Sequence, residues 1–115
     1  MLACLALVGS LAARADAHAI LVESTPASGA VVDGPEVAVR LVFNSRIDVA
    51  RSTLRLTGEI GGLPRPLPMV PDPEPNTLSA RAIDLTPGSY HIQWQVLSLD
   101  GHVSRGEVPF SVRAP

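Results

Sequence analysis

Between Val37 and Val112 apolar side chains keep returning at every second position. Val37, Val39, Leu41 and Phe43 alternate with Glu36, Ala38 and Arg40; Tyr90, Ile92, Trp94 and Val96 alternate with His91, Gln93 and Gln95; Val108, Phe110 and Val112 repeat the pattern near the end. Successive side chains of a strand point to opposite faces, so each run has one face for a core and one for solvent. No stretch carries a convincing helical period, and helix is expected to be minor. The 58–76 region constrains the fold from the other side. It holds Gly61-Gly62 and prolines at 64, 66, 68, 71, 73 and 75, which remove backbone donors and exclude an interior strand; at most an edge strand fits, around residues 67–70.

The remaining strands fall between turn signals. Residues 19–23 form a first strand, followed by Ser24-Thr25-Pro26-Ala27-Ser28-Gly29 and Asp33-Gly34-Pro35 as turns. The 37–43 run is the second strand, Leu54 and Leu56 mark the third, the proline-rich edge is the fourth, and residues 78–84 are the fifth. Leu85-Thr86-Pro87-Gly88-Ser89-Tyr90 turns into the sixth strand, and the 108–112 run is the last. This pattern predicts an all-β, seven-stranded, immunoglobulin-like Greek-key β-sandwich.

Residues 1–17 belong to a different class of segment. Met1 to Ala13 is almost wholly apolar and small, too short to span a bilayer, and Ala15-Asp16-Ala17 supplies a small-x-small cleavage pattern, although no Lys or Arg follows Met1. The expectation is a signal peptide over 1–17 and one small domain over 18–115. The only cysteine is Cys4, so the domain has neither a disulfide framework nor a thiolate metal site. The formal net charge of −2 argues against nucleic acid as a main partner. All basic residues are arginine, which fits genomic base composition better than mechanism.

Cleavage after Ala17 would make His18 the first residue, with a free α-amine and an imidazole able to grip one metal ion together. Odd strands of an antiparallel sandwich start at the end where even strands finish. His18 precedes the first strand and Asp100-Gly101-His102 follows the sixth, so the two are expected at one end, joined there by the loop of residues 44–48. The converging donors are an amine and an imidazole from His18, a carboxylate from Asp100 and an imidazole from His102. Nitrogen and oxygen donors of this kind favour Cu(II). Met69 is the only methionine after Met1, so a thioether cluster for Cu(I) cannot be built. His91 lies on the strand face opposite Trp94 and is read as a surface residue. Asp33, Asp48, Asp72 and Asp84 read as turn or surface residues, and Tyr90 and Trp94 as core.

A series of motifs runs through residues 18–115: His18-Ala19, Ser24-Thr25-Pro26-Ala27-Ser28-Gly29-Ala30, Leu41-Val42-Phe43, Leu85-Thr86-Pro87-Gly88-Ser89-Tyr90, Trp94 and Ser98-Leu99-Asp100-Gly101-His102. In this order they resemble the CopC family of periplasmic copper-binding proteins. The resemblance implies a monomeric copper-binding β-sandwich for copper tolerance or supply, often beside a CopD-type inner-membrane transporter. It implies one Cu(II) bound by His18, Asp100 and His102, and no catalytic residue. Two departures stand out: Ser45 occupies a position where some members have glutamate, and the methionine-rich loop of some members has no counterpart between Thr57 and Val70. Two other classes of function compete with copper carriage. One is an oxidative enzyme using the same amine and two-histidine brace, which the scarcity of aromatic residues disfavours; the other is a metal-free sandwich serving as an interaction module.

Overall fold

The computed structural model describes residues 18–58 and 62–114; the expected signal peptide lies outside the described residues. Period-two alternation becomes strand throughout. The elements are β1 (Leu21–Thr25), β2 (Ala30–Asp33), β3 (Val37–Phe43), a 3₁₀ turn (Val49–Arg51), β4 (Thr53–Gly58), β5 (Arg65–Pro66), β6 (Met69–Val70), β7 (Thr77–Ala82), β8 (Gly88–Leu97) and β9 (Val103–Arg113). They form a four-stranded sheet ordered β1-β3-β7-β6 and a five-stranded sheet ordered β2-β9-β8-β4-β5. Among the described residues no helix is long and apolar enough to cross a membrane.

The inward positions read from the sequence make the core. Val39, Leu41, Phe43, Leu78, Ile92, Val96, Val108 and Phe110 are buried between the sheets. Phe43 meets Trp94 edge to face, with ring centroids 5.1 Å apart, an arrangement that suits the aromatic quadrupole. Tyr90 stacks on Phe110 and gives its hydroxyl to the Thr86 carbonyl at 2.6 Å.

The sandwich class holds, while the expected count of seven strands is corrected to nine among the described residues. Both additional strands arise where one run of chain serves both sheets. After β1 the chain turns at Gly29, which has φ +82° and donates its N–H to the Pro109 carbonyl at 2.7 Å. That bond lays Ala30–Asp33 parallel to β9, with Ala30 opposite Phe110 and Val32 opposite Val112. The proline-rich run divides in the same way. Arg65–Pro66 pairs with β4 in one sheet and Met69–Val70 with β7 in the other. Leu67, buried at the crossing, donates its N–H to the Leu54 carbonyl at 2.9 Å. Prolines confine both pieces to sheet edges, where a missing donor costs least. The first strand also begins two residues later than expected, at Leu21, and the fifth stops at Ala82.

Counted as runs of chain rather than strands, the sandwich still has seven, because β1 with β2 and β5 with β6 each continue one run. β1 therefore starts at the end of the sandwich where β3 and β8 finish. Ile47 bridges Ser98, and Asp48 N–H donates to the Leu97 carbonyl at 2.8 Å. The ends of β3 and β8 thus meet, and β1, antiparallel to β3, starts where β3 finishes.

Candidate metal centre

The site forms at the tip of the longest hairpin. β8 and β9 pair continuously from Gly88 opposite Val112 to Leu97 opposite Val103, and residues 98–102 close the turn. Gly101 takes φ +95°, a left-handed conformation that glycine adopts without steric cost. Its N–H donates to the Ser98 carbonyl at 2.9 Å, and Ser98 N–H donates to the His102 carbonyl at 2.8 Å.

Within the turn, Asp100 and His102 are coupled. Asp100 Oδ1 lies 3.1 Å from His102 Nδ1 and 2.7 Å from Ser98 Oγ, and accepts a longer bond from His102 N–H at 3.4 Å. The Ser98 hydroxyl, followed by the His102 ring, holds the Asp100 carboxyl down to about 2. Asp100 is then an ionised, acceptor-only group at neutral pH. With the carboxylate ionised, the proton in the His102 contact sits on Nδ1, so that in the neutral ring Nε2 is the nitrogen that carries the lone pair. A carboxylate that fixes the tautomer and orientation of a histidine in this way is a common support of metal ligands.

His18 reaches the turn from the other terminus. Ala19, next to it, is 3 % exposed and belongs to the core. Ile20 is held twice by Asn44: its N–H donates to Asn44 Oδ1 at 2.8 Å, and its carbonyl accepts from Asn44 N–H at 2.9 Å. Asn44 begins the loop that bridges to Leu97 and Ser98, so this loop ties the N-terminal arm to the hairpin tip. The His18 and His102 rings meet with centroids 5.5 Å apart and planes at 67°. Two imidazoles on one metal at about 2 Å from each nitrogen have centroids about 4.5 Å apart at a right angle and about 6.3 Å apart when opposed. The observed spacing falls inside that range.

Fold geometry therefore brings His18 to His102 and His102 to Asp100. The three side chains do not close on one point: among the described residues no group of three His, Cys, Asp or Glu side chains stands ready as a metal cage. Asp100 turns Oδ1 into the turn, towards Ser98 and His102. His91 lies elsewhere, on the outer face of β8 opposite Thr57 and Pro109, with Nδ1 3.5 Å from Glu107. Ser45 is exposed in the 44–48 loop. Asn44 and Ser98 are the residues that sequence reasoning did not single out. Ser98 is quoted in the motif, but its hydroxyl's partner is a matter of turn geometry that no spacing announces.

Relatives carry the same domain. The CopC domain family model matches residues 21–113. Protein YobA of Escherichia coli K12 is 31% identical over 99 residues, covering 84% of this chain and 80% of that protein. Copper resistance protein C of Xanthomonas campestris pv. juglandis is 30% identical over 108 residues, covering 88% and 84%. Among solved structures, CopC from Methylosinus trichosporium OB3b superposes with a TM-score of 0.73 at 27% identity, covering 84% of this chain and 94% of that one. PcoC, a methionine-rich copper resistance protein from Escherichia coli, gives 0.66 at 28% identity, covering 84% and 100%. With the domain model matched from β1 through β9 and the fold shared with CopC of Methylosinus trichosporium OB3b and PcoC of Escherichia coli, the chain belongs to the CopC family.

Proposed function

We propose that this chain is an exported copper resistance protein that carries one Cu(II) ion as cargo in the periplasm. Its ligands are the α-amine and imidazole of His18, Nε2 of His102 and the carboxylate of Asp100. The observation that carries the reading is the meeting of His18 and His102, from opposite ends of the sequence, at 5.5 Å. Amine, imidazole and carboxylate donors suit Cu(II), which also heads the divalent affinity series. Asp100 Oδ1 is engaged inside the turn, so Oδ2 is the oxygen assigned to the ion. The side chains of His102 and Asp100 are 53% and 52% exposed, and an open site lets an incoming ligand displace one donor at a time. A CopD-type inner-membrane transporter is the proposed receiver or supplier, and the protein acts as a monomeric carrier rather than an enzyme.

The amine ligand comes into being only when cleavage after Ala17 frees His18. An otherwise identical protein with one or two residues left in front of His18 should show matched circular dichroism and Cu(II) affinity lower by orders of magnitude. Electron paramagnetic resonance of the processed form should count three nitrogen donors. Unchanged affinity in the extended protein would remove the amine from the site.

A further inference from the structure

We infer that Ser98 is a positioning residue of this copper site: its hydroxyl holds Asp100 so that the carboxylate orients the His102 ring and keeps its other oxygen for the ion. The inference rests on the proposed ligand set and adds to it a residue that touches no metal.

Ser98 is 5 % exposed, on a hairpin tip whose next four residues are all at least partly open to solvent. Its backbone is fixed by the N–H bond to the His102 carbonyl and by the bridge to Ile47. The hydroxyl oxygen thus starts from a rigid point, 2.7 Å from Asp100 Oδ1 and 3.0 Å from the His102 carbonyl. A hydroxyl has one proton, and an ionised carboxylate is the stronger acceptor of the two. Among the described residues Asp100 makes its hydrogen bonds through Oδ1: to Ser98, to the His102 ring and to the His102 N–H. Two of these donors belong to His102, the residue being positioned. Ser98 supplies the one that comes from outside the pair, from a buried site cross-linked to the 44–48 loop. Without it, Asp100 and His102 could rotate together about the turn and lose their relation to His18.

Residues that orient metal ligands typically contribute about 10–100-fold in affinity. Cu(II) competition titrations on processed protein should therefore show Ser98→Ala weakening binding about 10–100-fold, with circular dichroism unchanged. A general loosening of the turn would lower affinity too, so the deciding measurement is a double-mutant cycle with Asp100→Ala. If Ser98 acts through Asp100, Ser98→Ala should cost little in the Asp100→Ala background. Equal losses in both backgrounds would overturn the inference. The pair Ser98→Thr and Ser98→Val keeps side-chain volume matched and isolates the hydroxyl should the alanine variant fold poorly; equal affinity in that pair also overturns it. His102→Ala separates the two levels. Weakened binding there with unchanged Ser98→Ala refutes the role of Ser98 alone, whereas unchanged binding in His102→Ala removes the site and the inference with it.

Discussion

Gly106 stands opposite Trp94 in the β8–β9 ladder, and the indole lies across its bare backbone. A Cβ at position 106 would come 2.4 Å from Cζ2, 2.7 Å from Cε2 and 3.0 Å from Nε1 of Trp94. Carbon atoms rest at about 3.5–4.0 Å, so Gly106→Ala must drive the ring back by about 1 Å. The ring is also held by Phe43, itself fully buried, which packs edge to face with centroids 5.1 Å apart. Overpacking of this kind costs about 1–3 kcal/mol, and a rigid aromatic confronted by a backbone-anchored methyl belongs in the upper half. For a domain of this size about 2–3 kcal/mol lowers Tm by roughly 10–20 °C. Trp94 is the only tryptophan, so its fluorescence during urea or thermal unfolding reads the affected site directly. The sign is informative, since replacing glycine by alanine in a strand ordinarily adds about 0.5–1 kcal/mol of stability. A variant as stable as the parent, or more so, would refute the placement of the indole over Gly106 and with it the packing of this part of the core.

Three further outcomes follow from the same geometry. His91→Ala should leave Cu(II) affinity nearly unchanged while His102→Ala weakens it strongly; equal losses by titration would show that the site, or the strand count behind it, is wrong. Asp72 accepts from the Glu74 N–H at 3.0 Å and the Ser79 hydroxyl at 2.7 Å and pairs with Arg40 at 3.2 Å, bonds that hold its carboxyl below the usual carboxylate range. A carboxyl depressed by folding adds stability above its unfolded pKa of about 3.9 and loses it as pH falls through the lower folded value. The destabilisation by Asp72→Asn, measured by urea unfolding, should therefore be full near neutrality and shrink below about pH 4; a deficit that does not change with pH would refute the ionic account. Reduction to Cu(I) should weaken binding greatly, since the domain offers no cysteine and Met69 sits half-buried on an edge strand beside Ala80; a competition assay giving tighter Cu(I) than Cu(II) would overturn the single-site reading.

What was legible in the sequence was whatever a long run of alternation carries. Val37 to Phe43 and Tyr90 to Val96 each place several side chains in the core, and a slip of one residue would expose all of them, so face and register follow from pattern alone. Ala30–Asp33 was hidden because four residues between turn signals carry too little pattern, with Val31 54% exposed, and because the parallel pairing with β9 is made across most of the chain. The prolines announced an edge but not that Leu67 would pass between the sheets and leave a two-residue strand on each. At the site, direction of travel was enough to bring the two chain regions to one end. The finer arrangement, with Asn44 clamping Ile20 and Ser98 holding Asp100, depends on bonds of 2.7–2.9 Å made by turn and loop residues, which residue spacing does not encode.

Those turn bonds bear on how a carrier can hold copper firmly and still part with it. Affinity gains from donors that need little ordering on binding. Here the ordering is done outside the proposed ligands: Ala19 is sunk in the core one residue from His18, Asn44 grips the backbone of Ile20, and the 98–102 turn is closed on itself and bridged to the 44–48 loop. The side chains of His102 and Asp100 themselves remain about half open, so that no part of the sandwich must unfold for a competing donor to approach. Burying the ligands would have raised the barrier to entry and exit together, whereas fixing them from behind lowers the entropy lost on binding and leaves the exchange path open. In the proposed carrier, strength of binding is thus set by the loops behind the ligands and rate of transfer by their exposure, two properties that substitutions at Ser98 or Asn44 on one side and at the ligands on the other should separate.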